Sequence, residues 1–213
     1  VIEGPGLVRE ALAAGLDLEE VFAAPDVAWT DTPVTRLAPG VIEAVATTEA
    51  PQGVIAVARL PFVAAVPAGA TFVVVCEGIG DPGNAGTILR SAEAAGADAV
   101  VFTPGSVDPS NPKCVRASAG ALFHVPVVVD ADPLTLGLPL VGTVVRDGTP
   151  HTACDLRRPL ALVLGSEAHG LSPALAAVCA DRVTIEHAGR AESLNVAMAA
   201  AILCFEVRRQ RVG

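Results

Sequence analysis

The chain has 213 residues, of which 52% are hydrophobic and 17% charged, and its formal net charge is −9. That much apolar content excludes a disordered chain. No apolar run is long enough to span a bilayer and no signal-peptide pattern opens the chain, so a cytoplasmic protein is expected. The acidic balance lacks the basic footprint that phosphate binding usually leaves. Most of the deficit lies in residues 1–67, with three arginines against nine acids. Cys76, Cys114, Cys154, Cys179 and Cys204 are scattered with no CxxC spacing. They read as reduced core thiols, with neither disulfide nor metal site expected.

The first residues read as a strand end, a turn at Gly4-Pro5-Gly6 and an amphipathic helix. Residues 21–23 and 53–60 are strand-like, 41–46 suit a short helix, and 28–39 give only weak signals. The pattern predicts a small α/β lobe over residues 1–67 that includes a Pro-bounded linker, then a second domain over 68–213. Residues 71–76 (TFVVVC) are β-branched and apolar, as a central buried strand requires.

The turn after that strand formally contains a GxGxxG spacing, but the dinucleotide fingerprint needs an acid at the end of the next strand. Here Asp98 precedes that strand, and Pro82 interrupts the glycine turn, so the dinucleotide reading is rejected. Asn84 is placed as the N-cap of a helix that Gly96 ends, with Ile88, Leu89, Ala92 and Ala95 facing inward. Thr87, Arg90 and Glu93 share one flank, which leaves Arg90 either ion-paired with Glu93 or free for chemistry. Strands are expected at 99–103, 125–129 and 140–145, with a turn-rich surface loop from Pro104 to Lys113 and a structural role for His124.

Residues 160–164 are an apolar run ending at Gly165, so they read as a buried strand feeding the loop Ser166-Glu167-Ala168-His169-Gly170. Ser172 and Pro173 supply an N-cap and a first helical position. A strand at 183–185 and a polar loop at 186–192 follow. Ser193 is then placed as the cap of a helix running to about Arg209. Between Val196 and Phe205 that helix is apolar on nearly every face, which predicts burial on more than one side.

Three of these segments resemble, in order and spacing, the motifs of the SpoU/TrmH-type RNA 2′-O-ribose methyltransferases of the SPOUT class. They are Gly83-Asn84-Ala85-Gly86-Thr87-Ile88-Leu89-Arg90, then Leu164-Gly165-Ser166-Glu167-Ala168-His169-Gly170-Leu171, then Ile185 through Ser193-Leu194-Asn195-Val196-Ala197. The resemblance covers residues 1–209. It departs at Glu186-His187, where the family usually has Pro and Met.

The resemblance implies a parallel-sheet α/β catalytic domain with a C-terminal trefoil knot, preceded by a small ribosomal-protein-like RNA-binding lobe. S-adenosylmethionine is the implied cofactor, bound by Thr143, Leu164, Gly165, Ile185, Ser193, Leu194 and Asn195. Gly165 is expected to let the backbone approach that ligand. The implied catalytic set is Asn84, Arg90, Glu167, Ser193 and Asn195, and the implied RNA contacts are Arg90, Lys113 and Arg116. A guanidinium with a pKa above about 12 is a poor base, so Arg90 is read as a clamp for phosphate and the developing alkoxide. The expected reaction is 2′-O-methylation of a ribose in RNA by a homodimer joined through the last helix and the motif-one region. Residues 106–126 and the lobe favour 23S-type ribosomal RNA over transfer RNA, and an antibiotic-resistance methyltransferase shares this layout. The alternative from another class is a non-catalytic RNA-binding or ribosome-assembly protein that kept the fold.

Overall fold

The computed structural model describes residues 1–212 and organises them around two sheets. The first sheet holds β1 (Ile2–Glu3), β2 (Leu18–Ala23), β3 (Thr35–Arg36) and β4 (Val54–Ala58), in the order β1-β4-β2-β3. Helices α1 (Pro5–Ala13) and α2 (Val41–Val45) accompany it. Strand β2 starts earlier than its apolar residues suggest. The short β3 pairs only with Phe22 and Ala23, which leaves Glu19 and Glu20 solvated on the same strand. The Pro-bounded linker at the end of the lobe is docked on the second sheet: Val63 N–H donates to the Val127 carbonyl at 2.9 Å.

The second sheet is parallel throughout. Its strands are β5 (Phe72–Cys76), β6 (Ala99–Phe102), β7 (Val127–Val129), β8 (Leu140–Thr143), β9 (Thr149–Pro150), β10 (Leu160–Leu164) and β11 (Asp181–Thr184). They lie in the order β7-β6-β5-β10-β8-β11-β9. The two central strands, β5 and β10, are buried at every residue, as near-continuous Val and Leu runs require. From β5 the chain runs outward through β6 and β7, then returns to build the other half. The β5/β10 boundary is therefore the switch point, beyond whose strand ends an open α/β sheet usually takes its ligand.

Helix α3 (Pro82–Ala95) packs against both α4 (Pro112–Ala117) and α6 (Val196–Val212), and α5 (Pro173–Val178) follows the loop after β10. Gly86 makes the α3–α4 approach possible, because a methyl group there would overlap the Cys114 carbonyl and the Ala117 side chain. The acid that fails the dinucleotide fingerprint serves the sheet instead. The Asp98 carboxylate accepts the N–H groups of Thr71 (2.7 Å) and Phe72 (2.9 Å) at the start of β5.

Helix α6 is covered on one side within the single chain. It buries Ala197, Ala200, Leu203, Cys204 and Val207, but leaves Met198 (62%), Ile202 (39%) and Phe205 (49%) exposed in the single chain. All five cysteines are unpaired thiols. No helix among the described residues is long and apolar enough to cross a membrane.

Candidate active site

Three loops meet at the switch point. The loop after β5 leads into α3 through Asp81 and Pro82. Asp81, not Asn84, is the N-cap: its carboxylate accepts the Asn84 N–H at 2.9 Å, and Pro82 occupies the first turn. The Asp-Pro pair signals this in the sequence just as Ser172-Pro173 does for α5, whose cap forms as expected. Freed from capping, Asn84 turns its side chain to the other two loops.

The loop after β10 closes on itself, with Ser166 and Gly170 exchanging backbone hydrogen bonds of 2.9 and 3.0 Å. Gly165 is required here by the loop itself. A Cβ at this buried position would collide with the backbone of Gly170 and Leu171, so glycine permits the loop to fold back. Glu77 at the end of β5 ties this loop down by accepting the Ser172 N–H at 3.1 Å.

Asn84 joins all three loops. Its Nδ2 donates to Glu167 Oε1 at 2.9 Å, and its Oδ1 accepts from Asn195 Nδ2 at 3.0 Å. Glu167 also accepts the N–H groups of Gly80 and Asp81, at 3.2 and 3.3 Å. Burial pushes the Glu167 carboxyl up, but the Asn84 side chain and these backbone donors outweigh it and hold it below the ordinary glutamate value. At the third loop Asn195, rather than Ser193, caps α6: its Oδ1 accepts from the N–H groups of Ala197 (2.9 Å) and Met198 (3.3 Å). Each amide in the chain is thus used from both ends, which fixes its orientation.

The remaining expected residues sort into three groups. Leu164 is buried at the end of β10, Thr143 is half-buried at the end of β8, and Ile185 is half-buried against the main core. Ser193 and Leu194 are exposed in the loop before α6. Arg90 is exposed on α3 and, among the described residues, forms no ion pair with Glu93 or any other acid. Lys113 pairs with Asp81 at 2.9 Å, a contact that holds the Asp81 carboxyl below its usual range and ties α4 to the motif-one turn. Arg116 reaches the N-terminal lobe, where it pairs with Glu3 at 3.2 Å. Glu77 and Asp81 are contributors that sequence reasoning missed. Burial pushes the Cys114 and Cys204 thiols up to about 12, so neither is a nucleophile.

Residues 71–205 match the family model for the SpoU rRNA methylase family. The chain belongs to the SpoU rRNA methylase family. It is 35% identical to the 23S rRNA (guanosine(2553)-2′-O)-methyltransferase RlmP of Bacillus subtilis (strain 168), over 98% of this chain and 88% of that one. It is also 35% identical to the 23S rRNA (uridine(2479)-2′-O)-methyltransferase of Streptomyces viridochromogenes, over 77% of this chain and 62% of the relative. Among solved SpoU structures, AviRb from Streptomyces viridochromogenes in complex with the cofactor AdoMet superposes with a TM-score of 0.83. That match has 28% identity and covers 99% of this chain and 90% of AviRb. Both sheets of this SpoU chain therefore fall within the matched region, and the Asn84 chain joins the three segments in which the family resemblance was found.

Proposed function

We propose that the protein is an S-adenosylmethionine-dependent methyltransferase that modifies a ribose 2′-hydroxyl in ribosomal RNA of the 23S type, working in the cytoplasm as a two-fold homodimer. The observation that carries this reading is the Glu167–Asn84–Asn195 chain, which brings the three family motifs together. Names of the relatives support the substrate class, since both those described act on 23S rRNA.

The residues present fit the cofactor. The loop between β11 and α6 offers an apolar wall from Ile185 and the exposed Leu194, and the Nε2 of His187 on that loop is buried with no protein partner. Thr143, Leu164, Gly165, Ser193 and Asn195 complete the set that would hold it. When bound, S-adenosylmethionine supplies an electrophilic methyl carbon. The reading includes the family's trefoil knot. Its support is that β10 is inserted between β5 and β8, β11 lies beyond β8, and α6 nevertheless returns to pack on α3.

The site's own residues position a weak nucleophile. A ribose hydroxyl must be held close, oriented and relieved of its proton, and positioning alone is worth roughly 7–11 kcal/mol. Arg90 carries an unpaired planar fork suited to a phosphate and to charge developing on the 2′-oxygen. Ser193 orients the hydroxyl. Glu167 accepts from Asn84, Gly80 and Asp81 and so serves as a latch on the loops. Lys113 lies at the same edge for RNA phosphates. The exposed Met198, Ile202 and Phe205 form the surface that a second copy would cover.

Calorimetric titration with S-adenosylmethionine tests the enzyme reading against a non-catalytic RNA-binding protein. Absence of binding up to millimolar cofactor overturns it. Mapping ribose methylation in 23S rRNA from cells lacking the protein identifies the nucleotide.

A further inference from the structure

The N-terminal lobe is joined to the catalytic domain through a buried charge. The Glu3 side chain on β1 is 5% exposed, and an unpaired carboxylate at such a position is costly. Three groups answer it. Thr47 donates its N–H (3.0 Å) and its hydroxyl (2.7 Å) to Oε1, while Arg116 on α4 donates to Oε2 at 3.2 Å. The same Arg116 nitrogen also reaches the Thr47 hydroxyl.

A second tie lies at the surface, where His124 Nε2 meets Glu10 Oε1 at 2.8 Å. An exposed pair of this kind contributes little. Apolar packing completes the joint: Ile2, Val8 and Ala11 share one buried cluster with Val115 and Leu122. Apolar contact is non-directional. It holds the lobe on but does not choose its register. Beside the backbone bond of Val63 to Val127, the directional contact with the most buried group is the Glu3–Arg116–Thr47 set, in which the Glu3 side chain is 5% exposed.

The other face of α4 leads straight to the chemistry. At Gly86 the two helices approach too closely for any side chain, so α3 and α4 are in direct backbone contact. Asn84 and Arg90 lie on that same α3, and Lys113 of α4 pairs with Asp81 at its cap. One short helix therefore stands between the lobe's first strand and the motif-one residues.

We propose that Arg116 is a positioning residue: it fixes the lobe's register against the motif-one helix, so that RNA held by the lobe presents its ribose to the site. The proposal rests on the reading that the lobe binds RNA and the catalytic domain methylates it. Arg116 then acts through Glu3 and not through a phosphate. RNA held on a well-registered lobe reaches the site at a high effective concentration, and loosening the joint lowers it. The cost falls on RNA affinity and leaves the chemical step alone.

The test is steady-state methyl transfer to deproteinised 23S rRNA from cells lacking the enzyme, with filter binding of the same RNA over a range of salt. Arg116→Ala is expected to raise the KM for RNA about tenfold, with kcat and cofactor affinity within about twofold of wild type. The slope of log affinity against log salt stays unchanged, and Arg116→Lys recovers part of the loss. A slope reduced by about one phosphate overturns the proposal, because Arg116 then touches RNA directly. A wild-type KM accompanied by a lower melting temperature also overturns it, leaving the joint purely structural. Glu3→Gln keeps the volume, removes the charge, and carries the same expectation should Arg116→Ala fail to fold. Filter binding reads the joint without turnover. A wild type that transfers no methyl group while Arg116→Ala loses RNA affinity tenfold would sink the enzyme reading and keep the joint.

Discussion

Helices α3 and α6 pack against each other but divide their surfaces in opposite ways. Helix α3 is finished within one chain. Asp81 caps its start, Gly96 in the left-handed region ends it, its apolar residues face inward, and Arg90 and Glu93 face solvent. Helix α6 turns Met198, Ile202 and Phe205 outward and keeps a carboxylate inside, with Glu206 only 8% exposed. That acid is satisfied by Arg209, in two hydrogen bonds of 2.7 and 2.8 Å, and by Gln210 at 2.8 Å. The difference teaches that α3 offers solvent polar and charged groups, whereas α6 offers it an apolar stripe.

The sharpest way to break this comparison is to remove the group α3 presents. Arg90→Ala is expected to lower kcat by about 100-fold or more in single-turnover methyl transfer, as loss of one donor to a developing oxyanion does. Its melting temperature and cofactor affinity should match wild type. Wild-type turnover would return Arg90 to an ordinary solvated surface.

On α6 the corresponding change is Phe205→Glu, which places a charge at the C-terminal end of the outward apolar stripe. The dimer dissociation constant should rise by at least about thirtyfold, read by light scattering across a concentration series. A wild type that is monomeric at micromolar concentration would remove the contrast between the helices. Gly86→Ala sharpens the α3 side. Alanine is the better helix former by about 1 kcal/mol, yet overlap with the Cys114 carbonyl and Ala117 should reverse the sign. A net loss of about 1–3 kcal/mol is expected in urea unfolding.

Asn84→Ala opens the chain between the loops and leaves Glu167 and Asn195 each short of a partner. Cofactor affinity should fall about tenfold by calorimetry, the scale of a charge-assisted hydrogen bond. The smallest effect belongs to Glu206. Hydrogen bonding from Arg209 outweighs burial and pulls its carboxyl from an ordinary 4.5 to about 2. A depressed carboxylate contributes fully above its unfolded value and loses that contribution as pH falls through the folded one. The stability difference between wild type and Glu206→Gln should therefore be constant above about pH 5 and shrink towards pH 2.

Much of the fold was legible because its signals are local. The apolar runs of β5 and β10, the Ser172-Pro173 start of α5 and the Gly96 end of α3 each follow from residues within one turn or strand. The motif loops were legible for the same reason, as contiguous strings. Asn84 was misplaced because Asp81, three residues earlier, caps the helix better. Asn195 displaced Ser193 in the same way, through its contacts with Ala197 and Met198.

Left to itself, the sequence determined the central strands β5 and β10, the end of α3, the start of α5 and the family, but not α4, β3 or β9. Tertiary structure alone decided the partners: Glu167 for Asn84 across 83 residues, Asn195 for Asn84 across 111, and Glu3 for Arg116 across 113. It also decided that Gly165 accommodates its own loop and that α6 leaves a stripe uncovered. The physical reason is that local periodicity and turn chemistry act over a few residues. The Asn84 contacts exist only once β10 lies between β5 and β8 and brings distant loops to one edge, and the Arg116 contact only once β1 meets α4.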